Sequence, residues 1–419
     1  MRVGGRLRVP GDKSISHRAL ICASLAEGAS RIAGILDSAD VRSTAGVLRE
    51  VGVHLPPLTG AMEVRGVGLR GLRAPARALD CGNSGTTARL MSGVLAGSSF
   101  PSRLIGDQSL SRRPMRRVTR ALEAMGARVA FDHGDGLPLE ITGGTLRPIV
   151  WDSEAASAQV KGAILLAALV AGVAAEVREP ARSRTHTERM LAARGVPIAV
   201  EGMTVRLTPV PRIAALDMAV PGDPSSAAYF AALAALAGGG ELTLEGVGAD
   251  ETRTGFFRAL SRMGAQVAAE RSWLEGGEAV ADVRVAPGTL RAIEVAPPDV
   301  PSMIDELPLV ACLAARAPGR TTIAGAAELR VKESDRIAAV AANLRALGVP
   351  VEERPDGMSI TGTTHPLRGR VVTHGDHRLA MAFGVLAALP DSGIEIDDRD
   401  CVAVSYPGFW NDLASVRVH

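Results

Sequence analysis

Residues 9–28 read VPGDKSISHRALICASLAEG, and residues 220–239 read VPGDPSSAAYFAALAALAGG. Each stretch has a short apolar start, a Pro-Gly-Asp turn, and an Ala- and Leu-rich segment that ends at glycine. Asp12 or Ser14 can cap the first helix, because a side-chain oxygen there accepts a free backbone N–H. About half of the 419-residue chain separates the two stretches, which indicates a duplicated architecture.

Four further segments extend this pattern into a repeat. Each has an apolar start, a small polar turn, an Ala/Leu-rich run, and Gly or Pro as its stop. They begin at Leu79, Val150, Val295 and Val371. The units follow one another at intervals of roughly 70 residues, and such a fixed period is typical of a repeat architecture. The chain therefore contains six units.

A second helical segment with a common ending follows each of the first five units. The endings are LREVG, LEAMG, LAARG, LSRMG and LRALG, with the glycines at Gly52, Gly126, Gly195, Gly264 and Gly348. Glycine is typical of the left-handed position after a helix, and the alternating residues beyond it predict a strand. The sequence thus predicts an α/β fold of two similar lobes. Each lobe has three repeated helix–strand units, with buried Ala-rich helices covered by sheets.

The two VPGD segments predict paired crossovers between the lobes. The first lobe is discontinuous and combines residues 1–12 with residues 223–419. The second lobe is the insert, residues 13–222. A cleft between two lobes is a common place for a ligand, and we expect the active site there.

Composition and charge limit the classes of function. The 47 basic and 45 acidic residues give a net charge of +2, without the strong basic excess of a nucleic-acid-binding surface. The four cysteines lie far apart and fit neither a disulfide framework nor a zinc site. The N-terminus has no apolar signal region, and the apolar runs are too short for a membrane span. We therefore expect a soluble cytoplasmic protein with no nucleic-acid or membrane partner.

Polar residues recur where each repeat turns into its helix. Free N–H groups and the positive end of the helix dipole suit phosphate and carboxylate there. The segments are PGDKSISHR at 10–18, GNSGTT at 82–87, SAQ at 157–159, RVKESDRI at 330–337 and THGDHR at 373–378. Each one alone is compatible with an ordinary cap or a solvated helix start, and the two histidines lack a further metal ligand. Together with single carboxylates such as Asp305, they predict a polyanion site with proton transfer.

In this order, the segments resemble the 5-enolpyruvylshikimate-3-phosphate synthases, which belong to the enolpyruvyl transferases. The matching motifs are PGDKSISHR, GNSGTT, RRPM, SAQVK, PGDPSS, SMIDELP, LRVKESDR and GDHRLAMAF, and they span nearly the whole chain. The resemblance implies a two-lobed fold of six units and no metal or organic cofactor. It implies transfer of the enolpyruvyl (carboxyvinyl) group of phosphoenolpyruvate to the 5-hydroxyl of shikimate 3-phosphate. This step belongs to the shikimate pathway, which leads to chorismate and the aromatic amino acids. We expect a monomer.

The resemblance also implies roles for single residues. For binding shikimate 3-phosphate they are Lys13, Ser14, Arg18, Ser157, Gln159, Arg184, Asp305 and Lys332. For binding phosphoenolpyruvate they are Lys13, Asn83, Gly85, Arg113, Gln159, Arg336 and Arg378. The implied catalytic residues are Asp305, Glu333, Lys13 and His377: Asp305 accepts the proton of the 5-hydroxyl, and His377 assists the departing phosphate. Either Glu333 or Lys13 is the acid at the methylene, and this choice stays open.

The reaction accounts for these residue types. Carbon 2 of phosphoenolpyruvate becomes electrophilic when its methylene is protonated, and the attacking hydroxyl must lose its own proton. Addition gives a tetrahedral ketal phosphate, and elimination reverses both proton transfers. The phosphates and carboxylates of the substrates require Arg and Lys in a water-poor site.

The sequence also departs from relatives and leaves alternatives. SAQVK replaces the SSQ of one large branch and is similar to a branch with glyphosate-tolerant members. Val404 stands where many relatives have a lysine that contacts phosphoenolpyruvate, so that contact is absent or comes from elsewhere. An enolpyruvyl transferase acting on UDP-N-acetylglucosamine would have a loop cysteine that GDQSLSRRPM lacks. A P-loop kinase would need glycines where Leu7 and Asp12 stand. A non-catalytic anion-binding protein is the third alternative.

Overall fold

A computed structural model describes residues 1–418, and the chain divides into two compact units. The first unit comprises Met1–Pro10, Pro221–Trp273 and the chain from Ala279 onward. The second comprises Gly11–Val220 and the short segment Leu274–Glu278. Each unit has its own hydrophobic core, so each buries its apolar side chains independently.

The first unit begins with two short strands, and the chain then enters the second unit. The strands are β1 (Arg2–Val3) and β2 (Arg6–Leu7). The second unit contains α1 (Lys13–Leu25), β3 (Glu27–Ala33), α2 (Ala39–Glu50), β4 (Ala61–Val67), β5 (Leu79–Asp80), α3 (Gly85–Ala96), β6 (Pro101–Ile105), α4 (Arg116–Met125), β7 (Arg128–Phe131), β8 (Leu139–Thr142), β9 (Ile149–Asp152), α5 (Ala158–Ala171), β10 (Ala175–Arg178), α6 (His186–Ala192), β11 (Ile198–Glu201), β12 (Thr204–Leu207) and β13 (Met218–Ala219). Its sheets have the strand orders β13-β3-β4, β5-β6-β8-β7 and β11-β12-β10-β9.

The rest of the chain completes the first unit. Its elements are α7 (Pro224–Leu236), β14 (Leu242–Gly248), α8 (Gly255–Arg262), β15 (Gln266–Glu275), β16 (Glu278–Ala286), β17 (Glu294–Val295), α9 (Leu307–Ala314), β18 (Arg320–Ile323), α10 (Arg336–Ala346), β19 (Val351–Arg354), β20 (Gly357–Thr361), β21 (Arg368–Val371), α11 (His377–Ala387), β22 (Gly393–Ile396), α12 (Phe409–Ser415) and β23 (Arg417–Val418). The sheets have the orders β15-β16-β14-β2, β17-β18-β20-β19, β21-β22 and β1-β23.

One cycle of elements recurs in both units: strand, helix, parallel strand, helix and antiparallel hairpin. The cycle from β5 to β8 shows it clearly, since β5 pairs in parallel with β6 and β8 pairs antiparallel with both β6 and β7. The cycles from β9 to β12 and from β17 to β20 have the same pairing. This repeat confirms the predicted α/β fold class.

The Ala-rich helices are buried, as predicted. In α7 every residue from Pro224 to Ala235 is buried, and in α5 every residue from Val160 to Val170 is buried. A helix that is apolar on all sides can be covered on all sides. Helices α3 and α5 approach closely at Gly93, where a Cβ atom would lie 2.1 Å from the Ala163 carbonyl oxygen. Glycine is therefore required at this contact.

The glycine endings behave as predicted. Their φ angles are +96°, +113°, +86°, +107° and +82°, in the order Gly52, Gly126, Gly195, Gly264 and Gly348. A strand follows four of them, but residues 53–60 after Gly52 form none. The prediction of a strand there is wrong, because Pro56 and Pro57 lack the backbone N–H that a sheet ladder needs.

Candidate functional site

The segment PGDKSISHR forms the beginning of α1. Asp12 caps this helix, since its Oδ1 accepts a hydrogen bond of 2.8 Å from the Ile15 N–H. Lys13 and Ser14 thereby lie in the first turn, and Arg18 lies one turn further along. The Lys13 Nζ is 2.9 Å from Asp40 Oδ2 at the start of α2, so the ammonium group is held at the entrance of the helix.

Arg18 brings the starts of three helices together in the second unit. It is 3% exposed, its Nε donates to Thr187 Oγ1 at 2.8 Å, and its Nη2 donates to the Ala158 carbonyl at 3.3 Å. Arg184 Nη1 donates to Ser14 Oγ at 3.3 Å. Burial lowers the pKa of Arg18, and nearby Glu188 opposes that shift. Ser14, Arg18, Arg184 and the cap of α5 thus form one cationic group.

The segment GNSGTT forms the turn before α3, with Ser84 as its cap. Arg113 Nη2 donates to Asn83 Oδ1 at 2.6 Å, and Arg113 Nη1 donates to the Asn83 carbonyl at 3.3 Å. A Cβ atom on Gly85 would lie 3.2 Å from Arg89 Nη1 and 3.6 Å from Arg113 Nη1. The missing side chain of Gly85 therefore leaves two guanidinium groups accessible beside the first amides of a helix.

Gln159 connects this turn with the start of α5. Arg89 Nη1 donates to Gln159 Oε1 at 2.6 Å, and Gln159 Nε2 donates to Thr86 Oγ1 at 3.0 Å. Sequence reasoning missed Arg89. Its position four residues after Gly85 could have identified it, because residues four apart share one face of a helix.

A buried chain of hydrogen bonds joins the starts of α1, α2 and α3. His17 Nδ1 lies 2.6 Å from Thr44 Oγ1, and Thr44 Oγ1 lies 2.7 Å from Thr87 Oγ1. Thr87 Oγ1 then donates to Ser84 Oγ at 2.8 Å. Burial lowers the pKa of His17 to about 3, so the imidazole is neutral. The chain fixes the cap of α3 against the helix that carries Lys13 and Arg18.

In the first unit, three cationic side chains surround Asp305, which lies in a 3-10 helix (Ile304–Glu306) before α9. Arg336 Nη1 is 3.5 Å and Lys332 Nζ is 3.9 Å from Asp305 Oδ1. Arg378 Nη2 is 3.7 Å from Asp305 Oδ2. Burial lowers the pKa of the half-buried Lys332, against the effect of Asp305. A carboxylate that can take a proton therefore lies among cations that can bind an anionic substrate.

Arg336 also orders the carboxylates at the starts of α10 and α11. Its Nε donates to Asp376 Oδ2 at 2.8 Å, and its Nη2 donates to Glu333 Oε2 at 2.6 Å. Burial alone would raise the pKa of Asp376, but Arg336 outweighs burial and lowers it. Asp376 accepts the Arg378 N–H at 3.0 Å and so caps α11.

A second carboxylate, Glu306, directly follows Asp305 in the chain. The sequence analysis assigned no role to it. Its Oε1 accepts a hydrogen bond from Ser225 Oγ and lies 3.7 Å from Arg378 Nη1. Burial raises the pKa of Glu306. Ser225 lies at the start of α7, and its Oγ also accepts a hydrogen bond of 3.1 Å from Arg253 Nη2, just before α8. The only sequence signal was an acidic residue beside Asp305 in an apolar segment.

The remaining predicted positions also lie at helix starts or in short helices. Ser157 caps α5, since its Oγ accepts the Val160 N–H at 3.4 Å. His377 is the first residue of α11 and is buried. Val404 ends a 3-10 helix (Asp400–Val404) and is half-buried.

Two properties of residues 1–418 bear on the kind of site. None of the helices combines the length and apolar content that crossing a bilayer requires. Nowhere in this part of the chain do three or more His, Cys, Asp or Glu side chains form a group suited to a metal ion.

The two units therefore offer different chemistry at their helix starts. The second unit presents guanidinium, ammonium, hydroxyl and amide groups beside backbone N–H groups, a set that binds phosphate and carboxylate. The first unit combines guanidinium and ammonium groups with several carboxylates, a set that can bind anions and move protons.

Comparisons with known proteins point to the same chemistry. Residues 1–413 match the EPSP synthase (3-phosphoshikimate 1-carboxyvinyltransferase) family. A relative from Acidithiobacillus ferrooxidans named 3-phosphoshikimate 1-carboxyvinyltransferase is 50% identical over 409 residues, which cover 97% of this chain and 94% of the relative. One of the same name from Desulforamulus reducens is 45% identical over 100% of this chain and 98% of its own.

A solved structure agrees with these relatives. EPSP synthase from Acinetobacter baumannii is 40% identical to this chain and superposes with a TM-score of 0.87. The superposition covers 99% of this chain and 95% of that structure. The chain therefore belongs to the EPSP synthase (3-phosphoshikimate 1-carboxyvinyltransferase) family.

Proposed function

We propose that this protein transfers the enolpyruvyl group of phosphoenolpyruvate to the 5-hydroxyl of shikimate 3-phosphate and releases phosphate, within the shikimate pathway. Family membership and the shared name of its relatives support this reaction. The structural observation that carries it is Asp305, a carboxylate with three cationic groups within 4 Å. Such a carboxylate can take the hydroxyl proton while its cationic neighbours bind the anionic reactants.

The proposal assigns shikimate 3-phosphate mainly to the second unit. Its phosphate would contact Ser14, Arg18, Ser157 and Arg184, with Lys13 and Gln159 completing the group. Arg18 supports this assignment because it donates to Thr187 Oγ1 and to two backbone carbonyls, so its positive charge can serve a phosphate. In the first unit, Asp305 would bind the 5-hydroxyl, and Lys332 would contact substrate phosphate.

Phosphoenolpyruvate is assigned to residues of both units. Lys13, Asn83, Gly85, Arg113 and Gln159 would contact it from the second unit. The close approach of Arg89 and Arg113 to Gly85, where a Cβ atom would lie within 3.6 Å of both guanidinium groups, supports this half of the assignment. The first unit would contribute Arg336 and Arg378, and the carboxylates around them fix the guanidinium groups.

The proton transfers follow from the reaction. Asp305 accepts the proton of the 5-hydroxyl, while an acid protonates carbon 3 and the oxygen attacks carbon 2. The product of addition is a ketal phosphate. In elimination, carbon 3 loses a proton, the carbon 2–oxygen bond to phosphate breaks, and His377 stabilises the leaving group. Glu333, beside Arg336, and Lys13, beside Asp40, are the two candidates for the acid.

We further propose a monomer that acts in the cytoplasm. Both substrates carry several negative charges, and such molecules do not cross an apolar barrier unaided. Light scattering during size-exclusion chromatography gives the mass in solution, and a dimer would contradict this part of the proposal.

The decisive experiment measures phosphate release with both substrates present. We expect release only when phosphoenolpyruvate and shikimate 3-phosphate are supplied together. UDP-N-acetylglucosamine in place of shikimate 3-phosphate is the control for the related enolpyruvyl transfer. No release with the proposed pair would overturn the function, and binding without release would favour a non-catalytic protein.

Solvent deuterium decides between the two acids. If Glu333 exchanges protons at carbon 3, Glu333→Gln should slow deuterium entry into the product methylene more than Asp305→Asn does, relative to residual turnover. Exchange that follows substitutions of Lys13 instead would assign the acid to Lys13.

A further inference from the structure

Lysine is rare in this chain, and its positions are informative. Of the 47 basic residues only three are lysine, namely Lys13, Lys161 and Lys332, and the others are arginine. The proposed function uses Lys13 and Lys332. Lys161 has no role in it, although it lies only four residues after Ser157 in α5 and is 1% exposed.

Lys161 bridges two buried carboxylates. Its Nζ lies 2.6 Å from Glu179 Oε2 and 2.7 Å from Glu188 Oε1. All three side chains are almost fully buried. An ammonium group is compact and directs three donors away from one atom, whereas a guanidinium group is larger and planar. The geometry thus suits lysine rather than the arginine used at most other basic positions.

Both carboxylates act on the proposed phosphate-binding group, Glu179 by a hydrogen bond and Glu188 by its charge. Glu179 Oε1 accepts the backbone N–H of Ser157, at 3.1 Å, just before α5 begins. Glu188 directly follows Thr187, whose hydroxyl accepts the Nε–H of Arg18. Glu188 also attracts the charged form of Arg18, which burial disfavours. Lys161 therefore contacts Glu179 and Glu188, and these two residues in turn act on Ser157 and Arg18.

We propose that Lys161 is a positioning residue for shikimate 3-phosphate: it fixes Glu179 and Glu188, and these hold Ser157 and Arg18 in the arrangement that binds the phosphate. This inference deepens the proposed function and rests on it. Lys161 itself does not touch the substrate.

The charge balance explains why the ammonium group is needed. The negative charge of Glu188 favours the charged form of Arg18, whereas nearby Arg184 disfavours it, so the cluster moderates the repulsion between the two arginines. Without Lys161, two like charges would lie close together in a buried place, where separation or protonation is the favourable response. Either response moves Glu179 from the Ser157 N–H or removes the negative charge beside Arg18.

The test is Lys161→Met, which keeps the length of the side chain and removes its charge. Calorimetry measures the Kd of shikimate 3-phosphate without the second substrate, and steady-state assays give the KM of phosphoenolpyruvate at saturating shikimate 3-phosphate. We expect the Kd to rise about tenfold or more, because charge-assisted contacts are lost. We expect the KM of phosphoenolpyruvate to change by less than about threefold, since Asn83 and Gly85 lie at the start of α3 and are not part of this cluster.

Leu165→Ala is the matched control. Leu165 lies one turn further along α5 and is fully buried, so its truncation also destabilises the second unit. Thermal unfolding reports that loss for both variants. The control should leave the Kd of shikimate 3-phosphate within about twofold of wild type. An equal rise of the Kd in both variants would mean that general destabilisation is the cause, and it would overturn the inference.

A second variant covers the case in which Lys161→Met does not fold. Lys161→Met combined with Glu188→Gln leaves a single carboxylate, so the like-charge repulsion is gone. We expect a loss of shikimate 3-phosphate affinity here too, because the double variant removes the negative charge of Glu188 beside Arg18 and leaves Glu179, which accepts the Ser157 N–H, without its ammonium partner. An unchanged Kd in either folded variant overturns the inference while wild type still binds and turns over. Failure of wild type itself to bind shikimate 3-phosphate would instead refute the proposed function.

Discussion

The two units repeat one architecture, but the buried arginines at their proposed substrate sites donate to different partners. In the second unit, Arg18 donates to a hydroxyl and to backbone carbonyls, and Ser84 and Ser157 cap buried helices. In the first unit, Arg336 donates to two carboxylates, and aspartates cap α7, α10 and α11. A cation that donates to neutral groups keeps its charge for a ligand, whereas a cation between carboxylates also sets their ionisation. The comparison supports the proposal that the second unit binds most of the substrate charge and that the first unit carries most of the proton transfer.

The largest expected effect tests the first unit. Asp305→Asn keeps the shape of the side chain but cannot take the hydroxyl proton. We expect turnover to fall by roughly a hundred- to ten-thousand-fold, as for other lost general bases. Calorimetry should still show binding of shikimate 3-phosphate, because Ser14, Arg18 and Arg184 are unchanged. Near-normal turnover in this variant would contradict the assignment of most proton transfer to the first unit.

A second effect concerns how the free energy of unfolding depends on pH, because buried groups of the two units have pKa shifts with opposite consequences. Burial lowers the pKa of His17 to about 3, and Lys13 and Arg18 act in the same direction while Asp40 opposes them. As the pH falls, the unfolded chain takes up this proton near pH 6.5 and the folded chain only near pH 3. The free energy of unfolding should therefore fall by about 1.4 kcal/mol per pH unit in that window. In the first unit Glu306, with its raised pKa, has the opposite sign: its contribution is lost as the pH rises.

Urea unfolding of His17→Asn at pH 7 and pH 5 measures this contribution. We expect the stability difference between wild type and variant to shift by about 2 kcal/mol in favour of the variant at the lower pH. His54→Asn replaces an exposed histidine of the same unit and should show no such shift. The same pH dependence in His17→Asn and wild type would mean that folding does not lower the pKa of His17.

A third effect tests the binding role of the second unit. Arg113→Ala removes the guanidinium group that contacts Asn83 and lies close to Gly85. We expect phosphoenolpyruvate use to weaken by about 1.5–3 kcal/mol, the usual cost of a lost charge-assisted contact. Calorimetric binding of shikimate 3-phosphate alone should hardly change. Collapse of that binding would show that Arg113 belongs to the other substrate.

The fold was largely predictable from the sequence because its signals are local. A glycine that ends a helix and a small polar turn that begins one can be recognised within a few residues, and all five glycines predicted to follow a helix have positive φ. The missing strand after Gly52 also has a local cause in Pro56 and Pro57. Residues 53–55 alternate between apolar and polar side chains and so indicate a strand, but the two prolines that follow prevent it.

The networks behind the helix starts could not be predicted, because their partners are far apart in sequence. Arg18 and Thr187 are 169 residues apart, and nothing in either local segment indicates the contact. The bridge from Lys161 to Glu188 and the contacts of Glu306 with Ser225 and Arg378 likewise depend on how helices pack. Sequence patterns identify residues at the chain's turns, whereas packing decides which residues support them.

The smallest expected effect tests whether the buried series of hydrogen bonds from His17 to Ser84 helps the second unit to bind phosphoenolpyruvate. Thr44→Val removes the middle of the chain from His17 to Ser84 without changing the size of the side chain. Ser84 then loses a fixed neighbour, so the turn that carries Asn83 and Gly85 should be held less firmly. Because a net hydrogen bond contributes about 0.5–1.5 kcal/mol, we expect the KM of phosphoenolpyruvate to rise about two- to tenfold.

Thr119→Val is the matched control, since Thr119 is buried in the same unit and its hydroxyl has no hydrogen-bond partner within residues 1–418. It should leave the KM unchanged, and Thr87→Val should add little to Thr44→Val, because either change interrupts the same chain. Equal effects of Thr44→Val and Thr119→Val, or full additivity with Thr87→Val, would show that the chain stabilises the core without positioning the turn.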